Sequence, residues 1–358
     1  MEVVVYWNSF SKSAKQPPDL TQLQWLPNPQ YKTVHYGLVF LNLPAPLHYI
    51  NFLSLLGIPN IPVLQNPAAV TTTEFDTAWI FHSCSLSQLN CLQSYSIQDD
   101  CGQTPELIDF DQTIKIVKAE QSFRLIHEYS ELAFLLNIRL HPPRYKNYPF
   151  NLGIMQQWVC PASMQGTLRY KEQSYQVQST GIFSYARTIQ LPFWSWYFYT
   201  RQIIQVEHLQ FIFYQIRNRF NQIIHSKLIL LDTQQQKIKT YLHNVEFEVV
   251  RVYPKVVTPN GLSMYLPREF SWHLQHRHLK IQLFAEARGD YKFGFGAGYV
   301  GSFSYKLKMN QKHYEGEAGY CEYVDCRALK WQEINATEKH FFKKTVQDLA
   351  CQPLKTFK

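Results

Sequence analysis

Gly166-Thr-Leu-Arg-Tyr170-Lys171, followed by a short polar break and then Gln176-Val-Gln-Ser-Thr-Gly181-Ile-Phe-Ser-Tyr185, has a near copy later in the chain. The copy is Gly301-Ser-Phe-Ser-Tyr305-Lys306, a longer break, and Tyr314-Glu-Gly-Glu-Ala-Gly319-Tyr-Cys-Glu-Tyr323. Each reads as two aromatic strands around a polar turn, which is a β-hairpin. The second glycine follows the first by 15 residues in one copy and 18 in the other, a difference that a longer hairpin tip would absorb. A hairpin duplicated some 135 residues apart predicts two similarly built sheets in succession.

Composition agrees with a β-rich chain. Of 358 residues, 15% are aromatic (23 Tyr, 24 Phe, 8 Trp), and flat, stiff rings suit pleated, half-buried surfaces. The charged fraction of 17% is low for a globular domain and fits sheet buried on both faces. Lys plus Arg number 35 against 27 Asp plus Glu, but the basic excess is diffuse, with no block of five cations and no nucleic-acid module. No nucleic-acid partner is therefore expected. The seven cysteines (84, 91, 101, 160, 321, 326 and 351) show no Cys-x-x-Cys spacing and read as reduced thiols. The N-terminus has neither the charge nor the apolar length of a signal peptide, and prolines 59, 62 and 67 interrupt the most apolar stretch, so a cytoplasmic location is expected.

Along the chain, residues 1–30 read as an N-terminal arm, the polar part of which lies over the surface. Residues 31–203 read as a first lipocalin-like barrel, 204–330 as a second, and 331–358 as a C-terminal helix and tail. His35 to Pro44 is an opening strand; His48 to Gly57 reads as a short helix or a turn. Phe123 to Leu140 has an ambiguous period and is read as strand. In Val245 to Tyr253 strict alternation sets Val245, Phe247, Val249 and Arg251 on one face. Asn335-Ala-Thr-Glu338 resembles a capping box, and Phe342, Val346 and Leu349 lay an apolar stripe opposite Lys343 and Lys344. That helix would seal a barrel; peripheral contact with a membrane surface is the rival reading.

The paired-barrel pattern, a glycine-bearing strand followed by Trp194-Ser-Trp196, and the stretch Gly316-Glu-Ala-Gly319-Tyr-Cys-Glu-Tyr323 together resemble the AttH-like and carotenoid 1,2-hydratase-like family. The resemblance implies an all-β fold of two tandem lipocalin-like barrels over residues 31–330, in a family that includes terpenoid hydratases and fungal cyclases acting on greasy polyenes. Its hydratase-like members carry a Gly-Tyr-His-Asp-His-Asn-Trp-like stretch before the Trp-x-Trp. Here the run is Gly181-Ile182-Phe183-Ser184-Tyr185-Ala186-Arg187, so the imidazole and carboxylate positions hold Phe183, Ser184 and Tyr185. Protonating an alkene needs a strong, positioned acid, and neither phenylalanine nor serine supplies one. Glu322, Tyr323 and Asp325 in the second copy retain polar chemistry.

Other constellations carry less. His273, His276 and His278 do not share one strand face, and no carboxylate or cysteine is placed to complete a metal shell. The five glycines from Gly289 to Gly301 lack the following helix of a dinucleotide loop and read as bulges in a curved sheet. No cofactor is expected. Tyr185, Trp194, Trp196, Tyr199, Trp272, Tyr299 and Tyr320 are candidates to line a ligand cavity, with core filling as the alternative for each ring. The function read from the sequence is binding of a hydrophobic or amphipathic small molecule (terpenoid, lipid or polyketide-like) in or between the barrels. The alternatives are an isomerase, cyclase or hydratase using Glu322, Asp325 or His276 as acid and base, and an interaction scaffold with filled barrels. Oligomeric state is not legible.

Overall fold

Alternating apolar runs and polar breaks from residue 33 to residue 325 become antiparallel strands in a computed structural model, which describes residues 10–14, 18–88, 91–128, 131–148, 154–190, 194–277 and 279–328. The first sheet contains β1 (Phe10–Ala14), β2 (Thr33–Phe40), β3 (Ile50–Leu56), β4 (Thr77–Cys84), β5 (Leu92–Ser96), β6 (Cys101–Gln103) and β7 (Leu107–Phe110). It continues with β8 (Ile114–Lys118), β9 (Ser122–His127), β10 (Leu132–Leu140), β11 (Arg144–Tyr148), β12 (Met155–Tyr170) and β13 (Gln173–Thr188). The second contains β14 (Phe198–Val206), β15 (Leu209–Arg217), β16 (Ile223–Asp232), β17 (Lys237–Tyr241) and β18 (Val245–Val252). A short ladder of β19 (Val256–Val257) and β20 (Ser263–Met264) follows, and the second sheet resumes with β21 (Pro267–His276), β22 (Leu279–Ala287), β23 (Lys292–Phe295), β24 (Gly298–Met309) and β25 (Lys312–Asp325).

The strand orders are β5-β4-β3-β2-β13-β12-β10-β9-β8-β7-β6 and β17-β16-β15-β14-β25-β24-β22-β21-β18, so in each sheet the last long strand pairs with the first. Each sheet curls until distant strands meet. Gln93 Nε2 of β5 lies 3.4 Å from His127 Nε2 of β9, and Ser226 Oγ of β16 donates to the Val245 carbonyl of β18 at 2.6 Å. The protein is all-β, with two lipocalin-like barrels in tandem. The change of sheet falls between Thr188 and Phe198, so residues 198–203, grouped with the first barrel from the sequence, belong to the opening strand of the second sheet.

The duplicated hairpins are β12–β13 and β24–β25, and they occupy matching places, but their glycines do not correspond one to one. Both tips are two-residue turns, Lys171-Glu172 and Asn310-Gln311, with Lys171 and Asn310 at φ 54°. The three-residue difference is therefore absorbed in register, not in the tip: Gly166 faces Val177 close to its turn, whereas Gly301 faces Cys321 far from its own. The second glycine of each copy answers a close approach. A Cβ on Gly181 would lie 2.0 Å from the Val39 carbonyl oxygen, and one on Gly319 would lie 2.2 Å from the Phe303 ring.

Other expectations change with pairing. His48 to Gly57 is mostly strand β3, buried at every residue because both of its faces are covered, so the alternation that marks a half-exposed strand is missing. Phe123 to Leu140 forms β9 and β10. The alternation of β18 holds to Val249, where a bulge turns Arg251 outward to pair with Glu269 at 3.1 Å. A register shift at Phe293/Phe295 is the bulge expected from the glycine run. The six described cysteines are free. The C-terminal helix lies outside the described residues.

The polar leader lies over the surface at Asp19, Thr21, Gln22, Asn28, Pro29 and Gln30, but it is also anchored inside the first barrel. Leu20 and Trp25 are fully buried, and the Trp25 ring enters the first barrel edge-on to Tyr36 (4.7 Å) and Phe123 (6.0 Å), its Nε1 donating to the Leu20 carbonyl at 2.9 Å. Two apolar side chains in a polar segment are enough to anchor it, since each removes its whole surface from water. Trp25→Ala is expected to cost about 3–5 kcal/mol in urea denaturation; a loss under about 1 kcal/mol would mean that the segment merely drapes the barrel.

Rings fill both barrels. Trp25, Phe123, Trp158, Phe183 and Tyr185 pack the first, while Phe213, Phe247, Phe270, Trp272 and Phe303 pack the second. A third apolar layer lies between the barrels, where Val39, Leu53, Phe81 and Ile182 of the first sheet meet Ile203, Ile212, Ile229, Val300 and Tyr320 of the second. The barrels thus pack back to back, and strands β2, β3, β14 and β15 are buried on both faces.

Candidate functional site

The outer face of the second sheet carries three parallel rows of side chains. On β14, alternation sends Phe198 and Ile204 into the barrel and Tyr199, Arg201 and Ile203 toward the first barrel. Strand register then aligns Tyr320, Ile203, Ile212 and Ile229 in one row. Glu322, Arg201, Tyr214 and Lys227 form the next, and Val324, Tyr199, Ile216 and His225 the third. The first row is apolar packing. The second is a line of charges across four strands, closed over by the first barrel.

Glu322 is fully buried, with Oε1 accepting from Arg201 Nη1 at 3.3 Å and Oε2 from the Tyr199 hydroxyl at 2.7 Å. Burial works against the Arg201 charge, yet Tyr214, Glu322 and Tyr199 beside it hold its pKa above the usual arginine value. Tyr199 stays protonated, its pKa raised by burial and by Glu322. Arg201 and Lys227 both lie over the Tyr214 ring, at 5.4 and 4.8 Å from its centroid. Lys227 is only 3% exposed, and burial, with Arg201 nearby, brings its pKa down to about 7.

This row borders a cavity of about 130 Å³ between the barrels, which an adjoining apolar pocket of about 70 Å³ extends past Leu55, Leu64, Met155 and Trp196. His35 of β2, paired with Ala186 of β13, stands in its wall, with Nδ1 donating to the Ser54 carbonyl at 2.5 Å. Burial lowers the His35 pKa to about 4 and that of His225, in the same wall, to about 3, so both are neutral at pH 7. A larger cleft of about 900 Å³ opens on the first barrel around Arg124, Asn137 and Arg139. Those three side chains are exposed, and the buried cation of the cleft, Lys118, is satisfied by donating to the Thr104 carbonyl at 2.8 Å, so the smaller cavity is the better candidate site.

The predicted residues divide between these environments. Tyr199, Trp196 and Tyr185 border the inter-barrel cavity; Tyr185 also stacks on Trp158 at 5.3 Å and donates to the Gln24 carbonyl. Trp194 packs against Trp196 at 4.9 Å on the linker between the sheets, the seam expected of this aromatic cluster. Tyr320 lies in the inter-barrel layer, its hydroxyl accepting from Asn51 Nδ2 at 2.9 Å. Trp272 fills the second barrel, where Nε1 donates to Gln202 Oε1 at 2.8 Å, and Tyr299 packs at the edge of that core beside Tyr291 and Phe293. Of the acid-base candidates, Glu322 belongs to the charged row, Asp325 is held by Arg327 through two bonds of 2.7 Å, and His276 packs on Tyr241 at the end of β21. Among the described residues no cluster of three metal-ligating side chains occurs.

Arg201, Lys227 and His35 were not singled out from the sequence. The available signal was a lone cation inside a run such as Lys227-Leu-Ile-Leu-Leu231, which a two-sided strand shields from water.

Fold and site together define a tandem lipocalin-like barrel protein with a charged cavity at the barrel–barrel junction. Residues 53–338 match the model of a family of unknown function (DUF6670), and the chain belongs to that family. No curated protein matches the chain. Among solved structures, a protein described as AttH from Nitrosomonas europaea is similar, with TM-score 0.58 and 11% identity over 83% of this chain and 93% of that one. Kievitone hydratase from Nectria haematococca is similar with TM-score 0.50 and 11% identity, over 82% and 89% of the two chains. At that identity the likeness is one of fold, and it agrees with the fold implied by the AttH-like resemblance. Among the described residues no helix is long and apolar enough to cross a membrane.

Proposed function

We propose that the protein binds a small hydrophobic or amphipathic molecule at the junction of its barrels. The supporting observation is the cavity itself, with apolar walls from Leu55, Leu64, Met155 and Trp196 and a polar floor from Arg201, Tyr214 and Lys227. Both barrel interiors are packed with rings, which moves the reading from within the barrels to between them. The volume favours a compact ligand over a long polyene. Native mass spectrometry of protein purified from its own host tests this. The expected spectrum carries a small bound mass that disappears in Leu64→Trp, where the indole fills the cavity; bare chain alone, with no binding across a panel of amphipathic compounds, would overturn it.

Proton transfer on that molecule is a second reading, favoured by one observation: Lys227 and His35 present neutral or readily neutralised nitrogens to the cavity. The carboxylates are less suited, since Glu322 is engaged by Arg201 and Tyr199 and Asp325 by Arg327. Turnover of a bound molecule that survives both Lys227→Met and His35→Gln would refute it.

A further inference from the structure

The charges at the barrel junction do not balance. Glu322 is matched by Arg201 across the β14–β25 ladder. Lys227, one strand beyond Tyr214, pairs with no carboxylate among the described residues, and its ammonium meets only the faces of Tyr214 (4.8 Å) and Tyr145 (6.0 Å). Arg201 adds a second observation: its Nε and Nη2 are buried and have no hydrogen-bond acceptor. His35 and His225, the other nitrogen bases in the wall, are neutral at pH 7 and supply no negative charge. The row therefore holds one ion pair, a second amine that carries a charge below about pH 7, and spare N–H donors, beside a cavity whose other polar lining, Gln157 and Ser184 among it, is uncharged. Leaving a charge and its donors unmet in such a place is costly, so an arriving anionic oxygen is strongly favoured.

We propose that the inter-barrel cavity selects molecules bearing a carboxylate or similarly acidic head, which lies against Lys227 and Arg201 while the apolar body packs among Leu55, Leu64, Met155 and Trp196. The inference rests on the reading that this cavity binds a small molecule. It carries a protonic consequence. The titratable and charged groups around the Lys227 amine are Arg201 and Tyr199 of β14, Tyr214 of β15, His225 of its own strand, Tyr145 of β11, His35 of β2, Tyr185 of β13 and Glu322 of β25. The free lysine is about half neutral near pH 7, and an anion beside it restores its charge, so binding takes up protons and weakens as pH rises above 7.

Isothermal titration calorimetry on the full chain, with trans-cinnamic acid and cinnamyl alcohol as matched probes, tests the inference. At pH 6.5 the acid is expected to bind about tenfold or more tightly than the alcohol. Lys227→Met should abolish that preference while retaining alcohol binding, and Leu64→Trp should abolish binding of both. Titrating the acid at pH 7 in buffers of different ionisation enthalpy should show net proton uptake by the unmodified protein, a readout that stands even where Lys227→Met does not fold. Equal affinity for acid and alcohol, an acid preference unchanged in Lys227→Met, or no proton uptake would overturn the anionic head and leave the cavity reading standing. Binding of neither probe, or binding that Leu64→Trp does not alter, would remove the cavity reading and the inference with it.

Discussion

Acidification from pH 7 to pH 4 is expected to unfold this protein cooperatively, with a midpoint above pH 4. Four histidines are held neutral inside it: burial lowers His82 and His225 to about 3, and His35 and His127 to about 4. His82 and His127 face each other edge-on at 4.6 Å in the first barrel, so one proton there opposes the next, and His82 Nδ1 has no hydrogen-bond partner. Each folded-state value lies below that of the unfolded chain, near 6.5, so the unfolded state binds more protons between the two. Stability is thus fully present above pH 6.5 and is lost as pH falls toward 4 and 3. The loss is about 3 kcal/mol for each histidine at pH 4, and four of them reach the order of 10 kcal/mol, comparable to the whole stability of an ordinary domain. Near-ultraviolet circular dichroism against pH, with calorimetric Tm alongside, measures it. A native spectrum persisting at pH 4 would show that these imidazoles are hydrated. His82→Phe, which keeps a ring in place but cannot be protonated, should move the midpoint to lower pH.

Glu322→Ala is expected to destabilise the protein severely, by removing one partner of a buried ion pair. It strands the Arg201 guanidinium in a layer shut from water and leaves the Tyr199 hydroxyl without an acceptor. Removing one partner of a buried pair costs about 3–5 kcal/mol, mostly because the remaining charge is unpaired. Replacing both members, as in Arg201→Leu with Glu322→Leu, should recover much of that loss, because the flanking row of Tyr320, Ile203, Ile212 and Ile229 is already apolar. Urea denaturation of the parent and these two variants forms the comparison. A Glu322→Ala protein within about 1 kcal/mol of the parent would mean that water reaches the pair.

How far such residues can be read in advance depends on which neighbours matter. Tyr199, Trp196 and Glu322 were legible as candidates because each stands in an aromatic or carboxylate-bearing motif beside a strand. Lys227 and Arg201 were not, since a cation in a strand is ordinarily at the solvated face, and only the register of β25, β14, β15 and β16 brings them to either side of Tyr214. The leader shows the same limit: its polar composition speaks for the surface, and the two side chains that decide otherwise, Leu20 and Trp25, do so only when a barrel interior is there to receive them. The glycine alignment of the duplicated hairpins misled in detail for a related reason. A two-residue turn fixes hairpin register, so matching motifs along the chain do not mean equal depth in the sheet.

By itself the sequence determined that this chain forms β-hairpins, that two sheets of like build follow one another, and that rings dominate their interiors, because alternation, turn residues and aromatic content act within a few residues of each other. The tertiary structure alone decided that the sheets pack back to back, that their barrels are filled, and that one cross-strand row of charges meets a cavity. Those outcomes arise from the register of four strands and the docking of two sheets, which join residues far apart in the chain, Thr200 and Glu322 across 122 positions and Asn51 and Tyr320 across 269, through contacts that no local pattern encodes.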